Sequence, residues 1–113
     1  MKVLVVEDEL ILLIYVQDAL ERAGHEVFTA SSADQAIKIL DRHPIEILMT
    51  DIDLPGSMDG LKLAAAVRDR WPPVNIVVMS GNQTPAADEM PARARFLSKP
   101  ALSGNILHAV RPW

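Results

Sequence analysis

Glu7, Asp8, Asp51, Asp53, Ser80 and Lys99 are the residues of this chain whose types and spacing could do chemistry together. Glu7 and Asp8 follow the apolar run Val3-Leu4-Val5-Val6. Asp51 closes a second such run, with Asp53 two residues on. Ser80 closes a third, and Ser98-Lys99-Pro100 follow a fourth. Carboxylates brought together repel and raise one another's pKa. A hard divalent cation relieves that repulsion, and Mg2+ takes a few carboxylates together with waters and phosphate oxygens. Lys99 adds one positive charge and Ser80 one hydroxyl, each able to hold a phosphate oxygen. An aspartate can attack phosphorus to give an aspartyl-phosphate, a reaction catalysed mostly by positioning and charge neutralisation. Any one acidic residue at a strand end is most often a solvated loop residue. The argument rests on the whole set standing at matching places along the chain.

The elements that must position these groups alternate short β-branched runs with longer helical stretches. Strands are expected at residues 2–6, 26–30, 45–50, 74–79 and 95–97, and helices at 9–23, from Ser31 or Ser32 to 42, at 58–71 and at 102–110. Gly24, Pro44 and Pro72-Pro73 are the stop signals. Residues 80–93 contain Gly81, Pro85 and Pro91, so any helix there is short and poorly anchored. Repeated β-α order implies a parallel sheet with helices on both faces, doubly wound by right-handed crossovers. In such α/β sheets ligands sit at the carboxyl ends of the strands. With the flavodoxin-like order 2-1-3-4-5, the polar groups above would converge on one edge.

Composition narrows the function classes. With 113 residues, half of them hydrophobic, the chain has the size of one domain with a real core. There is no cysteine, which excludes disulfides and thiolate chemistry. A formal net charge of −4 argues against direct nucleic-acid binding. No apolar run is long enough to span a bilayer, and the acidic Glu7-Asp8-Glu9 is wrong for a signal peptide, so the expectation is a cytoplasmic protein without membrane contact. Neither a G-x-G-x-x-G nor a P-loop pattern is present. That weakens a third reading, a small enzyme or flavin carrier on the same sheet. His25, His43 and His108 are scattered without ligand spacing.

Val3-Leu4-Val5-Val6-Glu7-Asp8-Glu9, Met49-Thr50-Asp51-Ile52-Asp53-Leu54-Pro55-Gly56, Met58-Asp59-Gly60, Val77-Val78-Met79-Ser80-Gly81 and Phe96-Leu97-Ser98-Lys99-Pro100 together resemble the receiver domain of bacterial response regulators over essentially the whole chain. The resemblance implies a CheY-like sheet of order 2-1-3-4-5 and a switch module in a two-component relay. It implies Asp51 as phosphoacceptor. Mg2+ would be held by Asp8, by Glu7 through water, by Asp51 and by the backbone carbonyl of Asp53. Ser80 and Lys99 would bind the phosphoryl group, Pro100 would follow a cis bond, and Phe96 would be the aromatic switch that follows Ser80. Asp53 and Asn82 match positions that tune autodephosphorylation in receivers. Such a domain is not an enzyme on other substrates; it catalyses only its own aspartyl phosphorylation and dephosphorylation.

Departures from the commonest pattern are a loop one residue longer at residues 55–60, Ala101 after Pro100, and the proline-broken stretch 80–93. With Arg95-Phe96-Leu97-Ser98-Lys99-Pro100 they resemble the stand-alone or kinase-fused receivers found with HWE-type histidine kinases. In the first helix Leu12, Val16, Ala19, Leu20 and Ala23 share one arc and should face the sheet. Leu10 and Ile14 lie roughly opposite, flanked by Ile11 and Leu13. With Pro100 they form the expected docking face for a histidine kinase or histidine phosphotransferase. Output passes to a downstream protein that the sequence does not name, and a homodimer through the first helix or the Phe96 face is left open. No effector domain fits after Val110, so output is by docking or the chain is part of a longer one. Trp71 is expected to cover a helix end, and Trp113 is read as a product of where the chain stops. The alternative to a phosphorylated receiver is a degenerate one acting only as a protein-interaction module.

Overall fold

A computed structural model describes residues 1–112; Trp113 lies outside the described residues. Its elements run β1 (Lys2–Val6), α1 (Leu10–Arg22), β2 (Glu26–Ala30), α2 (Ala33–Arg42), β3 (Ile47–Asp51), α3 (Gly60–Arg70), β4 (Asn75–Ser80), β5 (Ala94–Ser98) and α4 (Ser103–Ala109). The five strands are parallel in the order β2-β1-β3-β4-β5. The sheet is doubly wound. Its Leu4, Leu48, Ile76 and Val78 pack against Ala36 and Leu40 of α2 and Leu63 and Val67 of α3. Its Val3, Val5, Ile47, Met49 and Val77 pack against Val16 and Leu20 of α1 and Ile106 of α4. Alternate strand residues point to opposite faces, so these near-continuous apolar runs are what a sheet buried on both sides requires.

Local chemistry sets the boundaries. The Ser32 hydroxyl accepts from the Gln35 amide at 3.3 Å and caps α2, while Ser31 bonds the Gln35 side chain. Asp59 caps α3 by accepting from the Lys62 amide at 2.8 Å, so that helix starts two residues later than expected from its first apolar residue, Met58. β3 also starts later than its apolar run, because the Ile45 amide turns back to the His43 carbonyl. Asp51 and Ser80 are thus the last residues of their strands. Ala23 is the C-cap of α1 and is exposed, not turned to the sheet as expected, whereas Leu13 packs on the α1 side of the core. Trp71 caps α3 and packs on the opposite cluster beneath the Arg70 guanidinium.

Between β4 and β5 there is no α-helix, only the single 3-10 turn Ala87–Glu89. Pro85 and Pro91 flank it, and the Glu89 carboxylate closes it by accepting from the Ala86 amide at 2.8 Å. Met90 reaches the core from this segment. The segment is tied at its far end by Arg68, whose guanidinium donates to the carbonyls of Ala92, Pro72 and Val74.

Gly60 is held in place by crowding. A Cβ there would overlap the backbone carbonyl oxygen of Asp51, and its own amide donates to the Ile52 carbonyl at 2.8 Å. Gly104 in α4 meets nothing. We expect Gly60→Ala to destabilise the fold by about 3 kcal/mol through forced backbone displacement. Gly104→Ala should be neutral or stabilise by up to about 1 kcal/mol. Thermal denaturation of both variants checks this, and equal melting temperatures would contradict it.

Candidate functional site

The register of the sheet builds the pocket. Val6 of β1 pairs beside Thr50 of β3, and Ser80 of β4 beside Ser98 of β5. The residues just past these pairs, Glu7, Asp51 and Lys99, are thereby neighbours, although Glu7 and Lys99 are 92 positions apart. The Lys99 ammonium lies 2.7 Å from Glu7 Oε1 and 3.0 Å from Asp51 Oδ2. Glu7 and Asp51 are buried, at 1% and 4% exposure, while Asp8 stands exposed at the rim.

Carboxylate oxygens of Glu7, Asp8 and Asp51 lie within 4.8 Å of one another. Lys99 occupies one oxygen of Asp51. The other, Oδ1, is buried and has no hydrogen-bond partner. A buried anionic oxygen without a donor is costly unless a cation or an electrophile meets it. This donor set, hard oxygens from two strand ends with one oxygen open, therefore fits a divalent cation of the oxygen-binding type.

The same cleft, about 540 Å³, is lined further by Glu9, Asp53, Gly81 and Asn82. The Asn82 amide group donates to Asp53 Oδ2 at 3.2 Å, closing one side of the cleft. Ser80 is buried at the end of β4, its hydroxyl accepting from the amides of Asn82 and Gln83, both at 3.2 Å. Ser80 is not among the residues lining the cleft. Phe96 lies half-buried against the α2–α3 side of the core. Pro100 follows a cis bond and lines a neighbouring cleft with Ile11, Leu12 and Tyr15. Leu10, Ile11 and Ile14 are 67%, 81% and 53% exposed.

Three contributors escaped the sequence reading. The Glu9 amide donates to Glu7 Oε2 at 3.1 Å, and buried Thr50 donates its hydroxyl to the Asp51 carbonyl at 2.9 Å. Tyr15 of α1 accepts from the Ser103 amide at 3.0 Å and so ties the start of α4, just after the Lys99 loop, to α1. A hydroxyl next to a candidate acid is a signal that could have found Thr50. Nothing local announces a contact between residues 15 and 103.

Burial pushes the Asp51 carboxyl above its ordinary value of 3.8, with the Lys99 ammonium opposing it. Burial likewise raises Glu7 above 4.5 against the pull of Lys99. For Lys99, burial works against its charge, but the hydrogen bonds to Glu7 and Asp51 outweigh it and hold the ammonium above 10.5.

A doubly wound parallel sheet in this order, with carboxylates after β1 and at the end of β3 and a lysine after β5, is the CheY-like class of flavodoxin-like folds. The family model of the response regulator receiver domain matches residues 3–111, and the chain belongs to that family. It is 35% identical over 79 residues to the response regulator protein FleR of Pseudomonas aeruginosa, covering 70% of this chain but only 16% of that protein. It is 31% identical over 102 residues to the response regulator receiver protein CpdR of Brucella abortus, covering 88% of this chain and 84% of the relative. A receiver protein from Sinorhizobium medicae superposes with a TM-score of 0.87 at 31% identity, covering 97% of this chain and 90% of that one.

The raised pKa of Asp51 has a defined consequence for stability. The folded state binds this proton more tightly than the unfolded chain does. Its contribution is therefore stabilising in acid and is lost as pH rises from 3.8 through the folded pKa. Asp51→Asn, which cannot ionise, should be more stable than the parent near pH 7.5 without divalent cation, by about 1 kcal/mol. The difference should shrink toward pH 4. Denaturation of both proteins across that range in a chelator tests the sign; a gain that grows in acid would contradict it.

Proposed function

We propose that this receiver accepts a phosphoryl group on Asp51 and uses it to switch its binding to a partner. The observation that carries the reading is the Asp51 carboxylate, buried, with one oxygen held by Lys99 and the other open within a three-carboxylate cluster. Mg2+ would be held by Asp8, Asp51, Glu7 and the Asp53 carbonyl; when bound it offsets the carboxylate charge and neutralises phosphoryl oxygens. One Asp51 oxygen would face the cation, and the other, released as Lys99 turns to the phosphoryl group, attacks phosphorus. The new O–P bond forms as the bond to the donor's imidazole nitrogen or acyl oxygen breaks, and the donor keeps that electron pair. Lys99, already against Asp51, pairs with a phosphoryl oxygen. The Ser80 hydroxyl turns its proton to another, and Phe96 follows the space that this movement leaves. The domain acts on no aspartate but its own. Asp53 and Asn82, bonded across the cleft mouth, set how readily water reaches the phosphoryl group.

The phosphodonor is a histidine kinase or histidine phosphotransferase, docking on the exposed Leu10, Ile11 and Ile14 of α1 and on Pro100. The cleft formed by Glu9, Ile11, Leu12, Tyr15, Gly81, Lys99 and Pro100 joins this surface to the acidic pocket through shared Glu9, Gly81 and Lys99. A donor imidazole resting on α1 is thus within reach of Asp51.

With acetyl phosphate and Mg2+, the intact mass should rise by one phosphoryl unit in the parent and not in Asp51→Asn, and chelation should abolish the gain. A gain in both proteins would move the acceptor to another carboxylate. No gain with acetyl phosphate or the cognate donor would favour a receiver that acts only as an interaction module. Leu10→Lys with Ile14→Lys should abolish transfer from the kinase, about a hundredfold or more for two exposed apolar anchors that docking would bury, while labelling by acetyl phosphate persists. Loss of both activities would mean that the fold was damaged.

A further inference from the structure

The connection from β5 to α4 carries Lys99 and is fastened at few points. The Lys99 amide donates to the Ser80 carbonyl at 3.0 Å, so β4 holds the backbone as far as Lys99. Among the described hydrogen bonds, none reaches the amides of Ala101 and Leu102 or the carbonyls of Pro100 and Ala101. Ala101 is half-buried against the α1–α4 side of the core, and Leu102 is 70% exposed. The next fastening is the Ser103 amide, which donates to the Tyr15 hydroxyl of α1 at 3.0 Å.

That bond stands where the helix cannot fasten itself. The first amides of a helix have no partner within it and need one outside. Leu102, the N-cap residue of α4, has no side-chain oxygen to offer. Ser103, Gly104 and Asn105 are all exposed, and the first buried side chain of α4 is Ile106, on the α1–α4 side of the core. Packing therefore fixes the body of α4 and leaves its first turn to Tyr15. Tyr15 lines one cleft with Lys99 and Pro100, so the tie runs beside the connection that it restrains.

We propose that Tyr15 is a positioning residue for phosphoryl transfer: its hydroxyl, by holding the Ser103 amide, pins the far end of this connection and keeps the Lys99 ammonium beside Asp51, where it meets the phosphoryl group. The inference rests on Asp51 being the acceptor. Lys99 lies 2.7 Å from Glu7 and 3.0 Å from Asp51. A point charge on a flexible four-carbon stem keeps such distances only while its backbone stays in place. Tyr15 acts through the backbone of residues 99–103 and not on the reacting atoms. Positioning is most of what catalyses such a transfer, and a small misplacement caused away from the chemistry can cost much rate.

Tyr15→Phe removes the hydroxyl and keeps the ring. Two quantities are read on the intact chain: backbone amide exchange, and the rate of labelling by acetyl phosphate with Mg2+, followed by intact mass. Exchange should quicken about fivefold at Ser103, and also at Lys99. Labelling should slow about fivefold or more. A second variant separates positioning from simple capping. Tyr15→Phe with Leu102→Ser gives α4 a cap of its own, at an exposed residue whose extended backbone suits one. It should recover the melting temperature of the parent, but neither the slow exchange at Lys99 nor the labelling rate. Recovery of all three would overturn the proposal and leave Tyr15 a helix cap. Unchanged Lys99 exchange or unchanged labelling in Tyr15→Phe, with the parent labelled, would overturn the proposal alone. A parent that takes no label would overturn the phosphoryl reading and the proposal with it.

Discussion

One ammonium group holds two buried carboxylates from different strands, and the rest of the site depends on that. Lys99 lies between Glu7 and Asp51. Removing it would leave two anions in a place that burial already makes unfavourable for either. The arrangement exists only while three strands keep their register. Moving β5 by one residue against β4 would send the Lys99 side chain to the other face of the sheet. The register is in turn held by the apolar alternation of β5, with Phe96 toward the α2–α3 layer and Leu97 toward the α1–α4 layer. The electrostatics of the pocket and the packing of the core are thus one constraint seen from two ends.

The pocket's contribution to stability is adverse. A carboxylate oxygen without a partner and two carboxyls pushed toward their neutral forms weaken the fold wherever they are ionised. What offsets them is the pair of apolar layers, where each wholly buried side chain such as Leu4, Leu63 or Ile106 contributes about 2 kcal/mol. Functional sites in stable domains commonly have this form: locally strained charge carried by surplus packing elsewhere. A positive or electrophilic ligand at this site would relieve a cost that is already present.

Much of this was legible in the sequence, for physical reasons that can be named. Strands of a parallel sheet are short β-branched runs, so buried β1 and the outer strand β2 both appear with their bounds, and Asp51 and Ser80, which end β3 and β4, fall at the functional edge. Ser32 marks a helix start by a local hydrogen bond, Gly24 a helix end by its positive φ, and Pro72 another by its missing amide. β3 and α3 shifted by one or two residues because a turn at His43 and the Asp59 cap outrank apolar character in setting a boundary. Ala23 was misplaced because a helical wheel continues past the point where the backbone stops being helical. Glu7, Asp8, Asp51 and Lys99 could be gathered from their strand-end positions once the order 2-1-3-4-5 was carried over from the receiver resemblance. Their pairing geometry, the Tyr15–Ser103 bond and the crowding at Gly60 depend on contacts between distant segments, and no pattern along the chain encodes those.

The segment between β4 and β5 completes the physical picture. Its prolines forbid a long helix, and the structure replaces one with fastenings at its two ends. At the start, the Ser80 hydroxyl gathers the amides of Asn82 and Gln83, and Asn82 reaches across to Asp53. At the finish, Arg68 grips the Ala92 carbonyl and Met90 enters the core. Between these points the Glu89–Ala86 bond and one short turn are the local support. A helix resists displacement along its whole length; a strap tied at two points yields at whichever knot is loosened. Ser80 is the knot beside the acidic pocket. Any event there that draws its hydroxyl away from Asn82 and Gln83 therefore frees the start of the strap while Arg68 still holds its finish.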